Sequence, residues 1–570
     1  MKNLFIPLLA VFLFFNLSLS GATALSSGDN PRSVVSVDTI MYEAFNYPAG
    51  QLPPGWVLDG ADAPWSVSNS NMSGGEAPEL YLGYSFASGT SRLISPSINV
   101  TGYEDLRLKY TQYLINYDMD YGEVIGLDIT FDGGQNWQSL WDKPIGTLNI
   151  PKGEISHYFS VPSGATTFQY AFRFEGNSYA INMWLIDDIT LESVADNDLL
   201  AVSIAGNGTP KADEMNMYFV EILNGGNLTQ TNYTVKLMME GGIELASLPG
   251  ETIAFNEKKF FLFSWTPGQE LIGSTNVYAD IDFSPDENPE NNRTSNFSVN
   301  VLNSNTVSVG IGNGSQPVSM IPYNFFNFFS LSQSLYFPEE INQTNIEITG
   351  IQYTGYFDND LPEIPIQIFM GETTLSDLST SWVDPATLTS VFDGNINFSR
   401  GLNQIYIPLD NSYIYKGDNL VIYSNKRLPE MVLGTAFINT LDTASNRSRV
   451  AEGDDAPFDP MSPPESCYST DYCPNITLFY SSGSISAGSN LDVADVMHVY
   501  PNPAVKTVYV KADETITELK MINSIGQVVY KQFVGANQYA INIDNLNPGF
   551  YFVQILTSKG LNTRKVQVVK

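Results

Sequence analysis

Two cysteines and two histidines occur in 570 residues. That scarcity excludes zinc fingers, His-rich metal centres and iron–sulfur clusters, each of which needs several thiol or imidazole ligands. It also leaves His157 and His498 as the only imidazoles available to a Ser–His–Asp triad. His498 stands at a linker boundary before Val499-Tyr500-Pro501, a poor place for a dry site. His157 lies in the strand-like stretch Ser156-His157-Tyr158-Phe159-Ser160, where a packed or exposed strand histidine is expected. No GxSxG elbow, HExxH or P-loop is present. Basic residues are scarce too: 27 Lys+Arg stand against 61 Asp+Glu, a formal charge of −34. Such a field repels a phosphate backbone, so no nucleic-acid partner is expected. No long segment of 3.6-residue apolar period occurs, which argues against a helical fold.

What is present points to strands. Hydrophobic residues make up 43% and aromatics 12%, enough for a folded chain, and 44 Gly, 32 Pro, 31 Tyr and 33 Phe suit strands joined by turns. At ~150 residues per domain the length predicts about four domains. Lys2 precedes an apolar run over residues 4–19, and Ala22-Thr23-Ala24 follows as a small-residue cleavage site. Residues 1–24 therefore read as a secretory signal peptide. The run is shorter than the ~20 residues that span a bilayer, and no transmembrane segment is expected in the mature chain. In an exported protein, Cys467 and Cys473 are expected to form a disulfide across a short loop.

Period-two alternation, as in Leu106-Arg107-Leu108-Lys109-Tyr110 and Ile125-Gly126-Leu127-Asp128-Ile129-Thr130-Phe131, recurs along the chain. The expected fold class is all-β, a multidomain series of tandem β-sandwiches of jelly-roll and immunoglobulin-like type. The units are 37–194, 196–302 and 303–482, then a Ser/Gly-rich linker at 483–497 and a last domain at 498–570. In the third unit, Tyr323-Asn324-Phe325-Phe326-Asn327-Phe328-Phe329 is unusually aromatic. Core and domain packing is the expected role for that stretch, and a sugar-stacking platform is the functional alternative. Trp137, Trp141 and Trp382 are expected in the core by default.

Three stretches resemble known families. The order Tyr42-Glu43-Ala44-Phe45, Leu52-Pro53-Pro54-Gly55-Trp56, Asp59-Gly60-Ala61-Asp62, Asp132-Gly133-Gly134-Gln135-Asn136-Trp137 and Trp184-Leu185-Ile186-Asp187-Asp188-Ile189 resembles the cleaved-adhesin, MAM-like jelly rolls (choice-of-anchor J type). Residues 196–302, with Asp196-Asn197-Asp198-Leu199 at the start and Asp286-Glu287-Asn288-Pro289-Glu290-Asn291-Asn292 at the end, are similar to CARDB-type modules. Val499-Tyr500-Pro501-Asn502-Pro503-Ala504, Leu546-Asn547-Pro548-Gly549-Phe550-Tyr551 and Lys565-Val566-Gln567-Val568-Val569-Lys570 closely resemble the type A C-terminal sorting domain of type IX secretion substrates.

The first resemblance implies structural calcium, which takes six to eight oxygen ligands and is available outside the cell. Carried over by position, Glu43, Asp59, Asp62 and Asp188 are the implied ligands, although Ala61 and Ala63 interrupt the acidic run. Strand alternation puts Asp187 and Asp188 on opposite faces, so only one should point inward. Asp282, Asp286 and Glu287 form a second acidic loop, expected to be a solvated charge cluster. The third resemblance implies that the export machinery engages residues 498–570 and leaves the protein extracellular or on the outer-membrane surface. With no catalytic constellation, the expected function is that of a secreted adhesin or binding protein for a glycan or protein ligand. The alternative is a carbohydrate-active hydrolase or its accessory carbohydrate-binding protein.

Overall fold

The computed structural model of the chain describes residues 37–117, 120–481, 497–502, 504–523, 528–543, 545–557 and 560–569. The expected signal peptide and nearly all of the 483–497 linker lie outside the described residues. The fold is all-β: among the described residues there is one α-helical turn, Pro338–Ile341, and the strands pair antiparallel.

Residues 37–194 build two six-stranded sheets facing one another. One runs in the order Ile150–Ser160, Asp105–Asn116, Ile181–Ser193, Glu79–Gly83 and Trp65–Ser68, with Thr39–Glu43 also paired to Ile181–Ser193. The other runs Val57–Gly60, Ser88–Ile94, Thr167–Asn177, Val124–Thr130 and Gln138–Pro144, with Ile98–Asn99 also paired to Thr167–Asn177. Alternation accounts for the packing: Leu106, Leu108, Tyr110 and Leu114 from the first sheet are buried against Ile125, Leu127, Phe172 and Phe174 from the second.

Strand Ile181–Ser193 has an unusual pairing. Its first half pairs with Glu79–Gly83, from Met183 opposite Gly83 to Ile186 opposite Leu80. On the same side, its second half pairs with Thr39–Glu43, from Ile189 opposite Glu43 to Glu192 opposite Thr39. Residues 187 and 188 fall at the seam where one partner stops and the other starts. On its other side, against Asp105–Asn116, the register shifts between Asp187 and Thr190. Asp188 there has a φ of 51°, so the strand carries a bulge with one residue in the left-handed region.

Residues 199–301 form a seven-stranded sandwich of three and four strands around Tyr218, Phe263 and Trp265. Residues 306–481 form a larger sandwich of seven and six strands. In its aromatic stretch, Tyr323 and Phe325 are fully buried and Phe329 is buried, while Phe326 is exposed. Tyr323 packs edge-on to Phe437 at 5.8 Å and Phe325 to Phe398 at 5.4 Å, so most of the stretch serves the core.

Cys467 and Cys473, expected to form a bridge, both stand free in the structure. Cys473 sits on Tyr472–Pro474, buried in the main core, and donates to the Leu335 carbonyl at 3.4 Å. Cys467 packs against a separate cluster around Phe369 and Tyr423 and donates to the Glu465 carbonyl at 3.3 Å. Strand pairing of Tyr472–Pro474 with Thr435–Leu441 thus turns the two side chains into different clusters. Burial pushes the Cys473 thiol up to about 12. A thiol-alkylating reagent is therefore expected to modify only Cys467 in the native chain and both cysteines in denaturant. Failure of either thiol to react in denaturant without reductant would restore the bridge.

The described residues from 497 onwards form a unit of their own. It is a five-stranded antiparallel sheet of Met497–Tyr500, Thr507–Asn523, Val528–Asn542, Gly549–Thr557 and Gly560–Val568. Register shifts along the two longest strands accompany closure over Val508, Val510, Leu519, Met521, Val553 and Ile555.

Candidate functional site

The seam in the first sandwich gathers four acids. Glu43 ends one strand, Glu79 begins the other, and Asp187 and Asp188 lie on the shared neighbour between them. Glu79 is fully buried and accepts hydrogen bonds from the backbone N–H groups of Met72 and Ser73, both at 2.8 Å, and from the Ser73 hydroxyl. Glu43 accepts from the Phe45 N–H at 2.8 Å and from the Tyr47 hydroxyl at 3.1 Å. The exposed Tyr42 donates its hydroxyl to Asp188 Oδ1 at 2.5 Å, which pushes the Tyr42 phenol up to about 12.

Asp187 differs from these. Its residue is fully buried, and neither carboxylate oxygen has a hydrogen-bond partner. Burial, with the charges of Asp188, Glu79 and Glu43 close by, pushes its carboxyl up to about 7. A buried carboxylate without a donor is costly, and it is retained where a cation completes it. The opening beside it has a cradle. Gly75, in the left-handed region at φ 66°, approaches so closely that a Cβ there would stand 2.5 Å from Asp188 Oδ2 and 2.7 Å from Asp187 Oδ2. Both oxygens thus face one solvent-exposed glycine of the 72–76 loop.

Of the four implied ligands, the structure brings Glu43 and Asp188 to this cluster. Asp59 and Asp62 are exposed and lie away from it, Asp59 on Val57–Gly60 opposite Arg92 in the other sheet and Asp62 in the turn that follows. Sequence reasoning passed over Glu79 and expected only one of Asp187 and Asp188 to face inward. The bulge at Asp188 breaks the two-residue alternation on which that expectation rested, so both carboxylates reach the same opening. No local signal marks Glu79; it enters only because its strand pairs with the far half of the aspartates' strand.

Among the described residues, no three side chains of His, Cys, Asp or Glu close on one point as a finished metal shell. The second acidic loop is satisfied internally: Asp282 accepts from the Lys236 ammonium at 2.8 Å, Asp286 from the Leu199 N–H at 3.0 Å and Glu287 from the Asn197 N–H at 3.2 Å. His157 is packed between Tyr110 and Trp141, with ring centroids at 5.7 and 5.6 Å, and burial pushes it down to about 4. It is neutral near pH 7 and half-buried between these two rings.

Comparison with known proteins identifies the last unit. Residues 498–570 match the secretion system C-terminal sorting domain, which marks type IX secretion substrates that are extracellular or on the cell surface. No curated protein matches the chain. Among solved structures, the chain is similar to a CARDB domain of a Pyrococcus furiosus protein solved with di-metal ions, at 23% identity over 20% of this chain and 99% of that one, with a TM-score of 0.18. It is also similar to the K1 cleaved adhesin domain of Lys-gingipain from Porphyromonas gingivalis, at 14% identity over 28% and 98%, with a TM-score of 0.21. A third similarity is to a xylan-binding domain from Paenibacillus barcinonensis, at 12% identity over 27% and 94%, with a TM-score of 0.20.

Proposed function

We propose that this chain is a secreted adhesin-type binding protein, displayed on or released from the cell surface, whose first sandwich is held together by a structural calcium ion. The observation that carries the calcium assignment is the orphaned, buried Asp187 carboxylate beside Asp188. Glu43, Glu79, Asp187 and Asp188 supply the charge that a hard dication needs. Bound there, calcium would neutralise the acids and tie together the two strands that meet at the seam. In this reading its role is structural: it would clamp the seam between the two strands. The sorting domain supports export, and the sandwiches ahead of it provide display surfaces.

The export half of this reading has a direct test. Deleting residues 498–570 is expected to move the protein from the medium and cell surface to the periplasm without changing the calcium response of the first sandwich. Fractionation and surface proteolysis read the outcome, and undiminished surface display of the truncated chain would refute it.

A further inference from the structure

Three loops at one end of the first sandwich carry exposed rings. Tyr84 and Phe86 lie between strands Glu79–Gly83 and Ser88–Ile94, Tyr117 and Tyr121 between Asp105–Asn116 and Val124–Thr130, and the half-buried Tyr179 in the turn Ser178–Ala180. Phe86 is 84% exposed and Tyr121 60%. Tyr84 meets Phe86 at 5.6 Å and Tyr117 at 5.8 Å, both edge-to-face, and Tyr121 meets Tyr179 at 5.6 Å. Large exposed apolar groups held together in this way mark a binding surface.

The loops are pinned from below. The buried Ser178 hydroxyl donates to the carbonyls of Ser85 and Ala87, each at 3.1 Å, and Ser178 N–H donates to Ala87 at 3.0 Å. The buried Glu123 carboxylate accepts from the Tyr121 N–H at 2.8 Å and from the Asn177 N–H at 3.4 Å. Tyr84 N–H donates to Asn182 and Tyr117 N–H to Ala180, each at 3.1 Å. These bonds fix the backbone that carries the rings, so the loops need not be ordered on binding, which lowers its entropic cost.

We infer that this end of the sandwich is a stacking platform for an uncharged polysaccharide, an inference that rests on the reading of the chain as a secreted binding protein. Of the exposed rings Tyr84, Phe86, Tyr117 and Tyr121, three carry a hydroxyl. Flat rings suit the C–H faces of sugar rings, and Ser85, Ser88 and Asn177 supply a polar rim. Charge selects among ligands: at −34 the chain disfavours anionic polymers and lipid surfaces, whereas a neutral glycan needs no counter-charge. The platform is separate from the acid cluster, because Asp187 lies six residues along its strand from Ile181, roughly 20 Å at the rise of a β-strand.

The test is affinity electrophoresis of the full chain in gels containing xylan, mixed-linkage β-glucan, mannan or starch, with heparin as the anionic control. At least one neutral polysaccharide is expected to retard the chain. Phe86→Ala and Tyr84→Ala should each weaken that retardation at least tenfold without moving the melting temperature, because both rings are exposed. Retardation by none of the four, by heparin alone, or equal retardation of the variants would overturn the platform. A chain that keeps its calcium-dependent melt and its surface display yet binds no glycan refutes the platform and leaves the proposed function standing.

Discussion

Asp187→Asn is expected to raise the melting temperature of the first sandwich in EDTA at pH 8, and to abolish the further rise that Ca²⁺ produces in the parent chain. The two effects would have opposite signs, because the bare carboxylate is a liability and, in the proposed site, becomes the ion's ligand. Asp187 titrates near 7 in the fold, against an ordinary value of 3.8. The unfolded chain therefore ionises first as pH rises. Stability falls between about pH 4 and pH 7, and the loss levels off above that at about 4 kcal/mol. Asparagine removes the charge among Glu43, Glu79 and Asp188 but leaves buried polar atoms unpaired, which costs about 1–3 kcal/mol. The net gain of about 1–3 kcal/mol corresponds to roughly 5 °C for a unit of this size. Calcium must bind the ionised form, so its affinity should weaken below pH 7 and binding near neutrality should release a proton. Calorimetry of the full chain in EDTA and in Ca²⁺ reads both effects, with one transition moving. A calcium response that survives in Asp187→Asn would refute the site.

Tyr113→Phe is expected to loosen the first sandwich from the third. Tyr113 donates to Asp358 Oδ2 at 2.5 Å, and the Asn149 amide donates to the same oxygen at 2.9 Å. In return, the Tyr356 hydroxyl donates to the Asn149 carbonyl at 2.7 Å. Asp358 is fully buried and its other oxygen has no partner, so these two donors from the first sandwich hold a carboxylate belonging to the third. Removing one donor to a buried charge costs about 1.5–3 kcal/mol, a large share of what an interface between domains of one chain provides. Burial raises the Asp358 carboxyl above its ordinary value, with the hydrogen bonds from Tyr113 and Asn149 opposing the rise. Docking should therefore weaken as pH climbs from about 4 through that raised value, since the undocked group ionises first. Asp358→Asn should remain docked and lose the pH dependence. Small-angle scattering and limited proteolysis report the separation. An unchanged radius in Tyr113→Phe across pH 4–8 would sink the assignment.

The sorting domain was legible in the chain because it consists of local phrases, such as Tyr500-Pro501-Asn502-Pro503, whose spacing survives without any partner segment. The all-β class was legible for a related reason. Alternation in stretches such as Leu106-Arg107-Leu108-Lys109-Tyr110 is a property of neighbouring residues, and the structure buries Leu106, Leu108 and Tyr110 on one face. Half of the acid cluster was legible as well, since Glu43 and Asp188 belong to family-like phrases, whereas Asp59 and Asp62 do not join it.

The rest was decided by contacts between segments far apart in the chain. Glu79 meets Asp187 because two strands share one neighbour and end at the same point along it. Asp188 turns towards the same opening because a bulge in the left-handed region breaks the alternation that local pattern assumes. Cys467 and Cys473, six positions apart, enter different clusters because strand pairing fixes one thiol in the core. Tyr84, Phe86, Tyr117, Tyr121 and Tyr179 gather because three loops end on one rim of the sandwich. Sequence alone determined which residues alternate and which phrases address the chain for export, since both depend on spacing along the backbone. Tertiary structure alone decided which acids, rings and thiols meet, since sheet register places them and long-range pairing sets register.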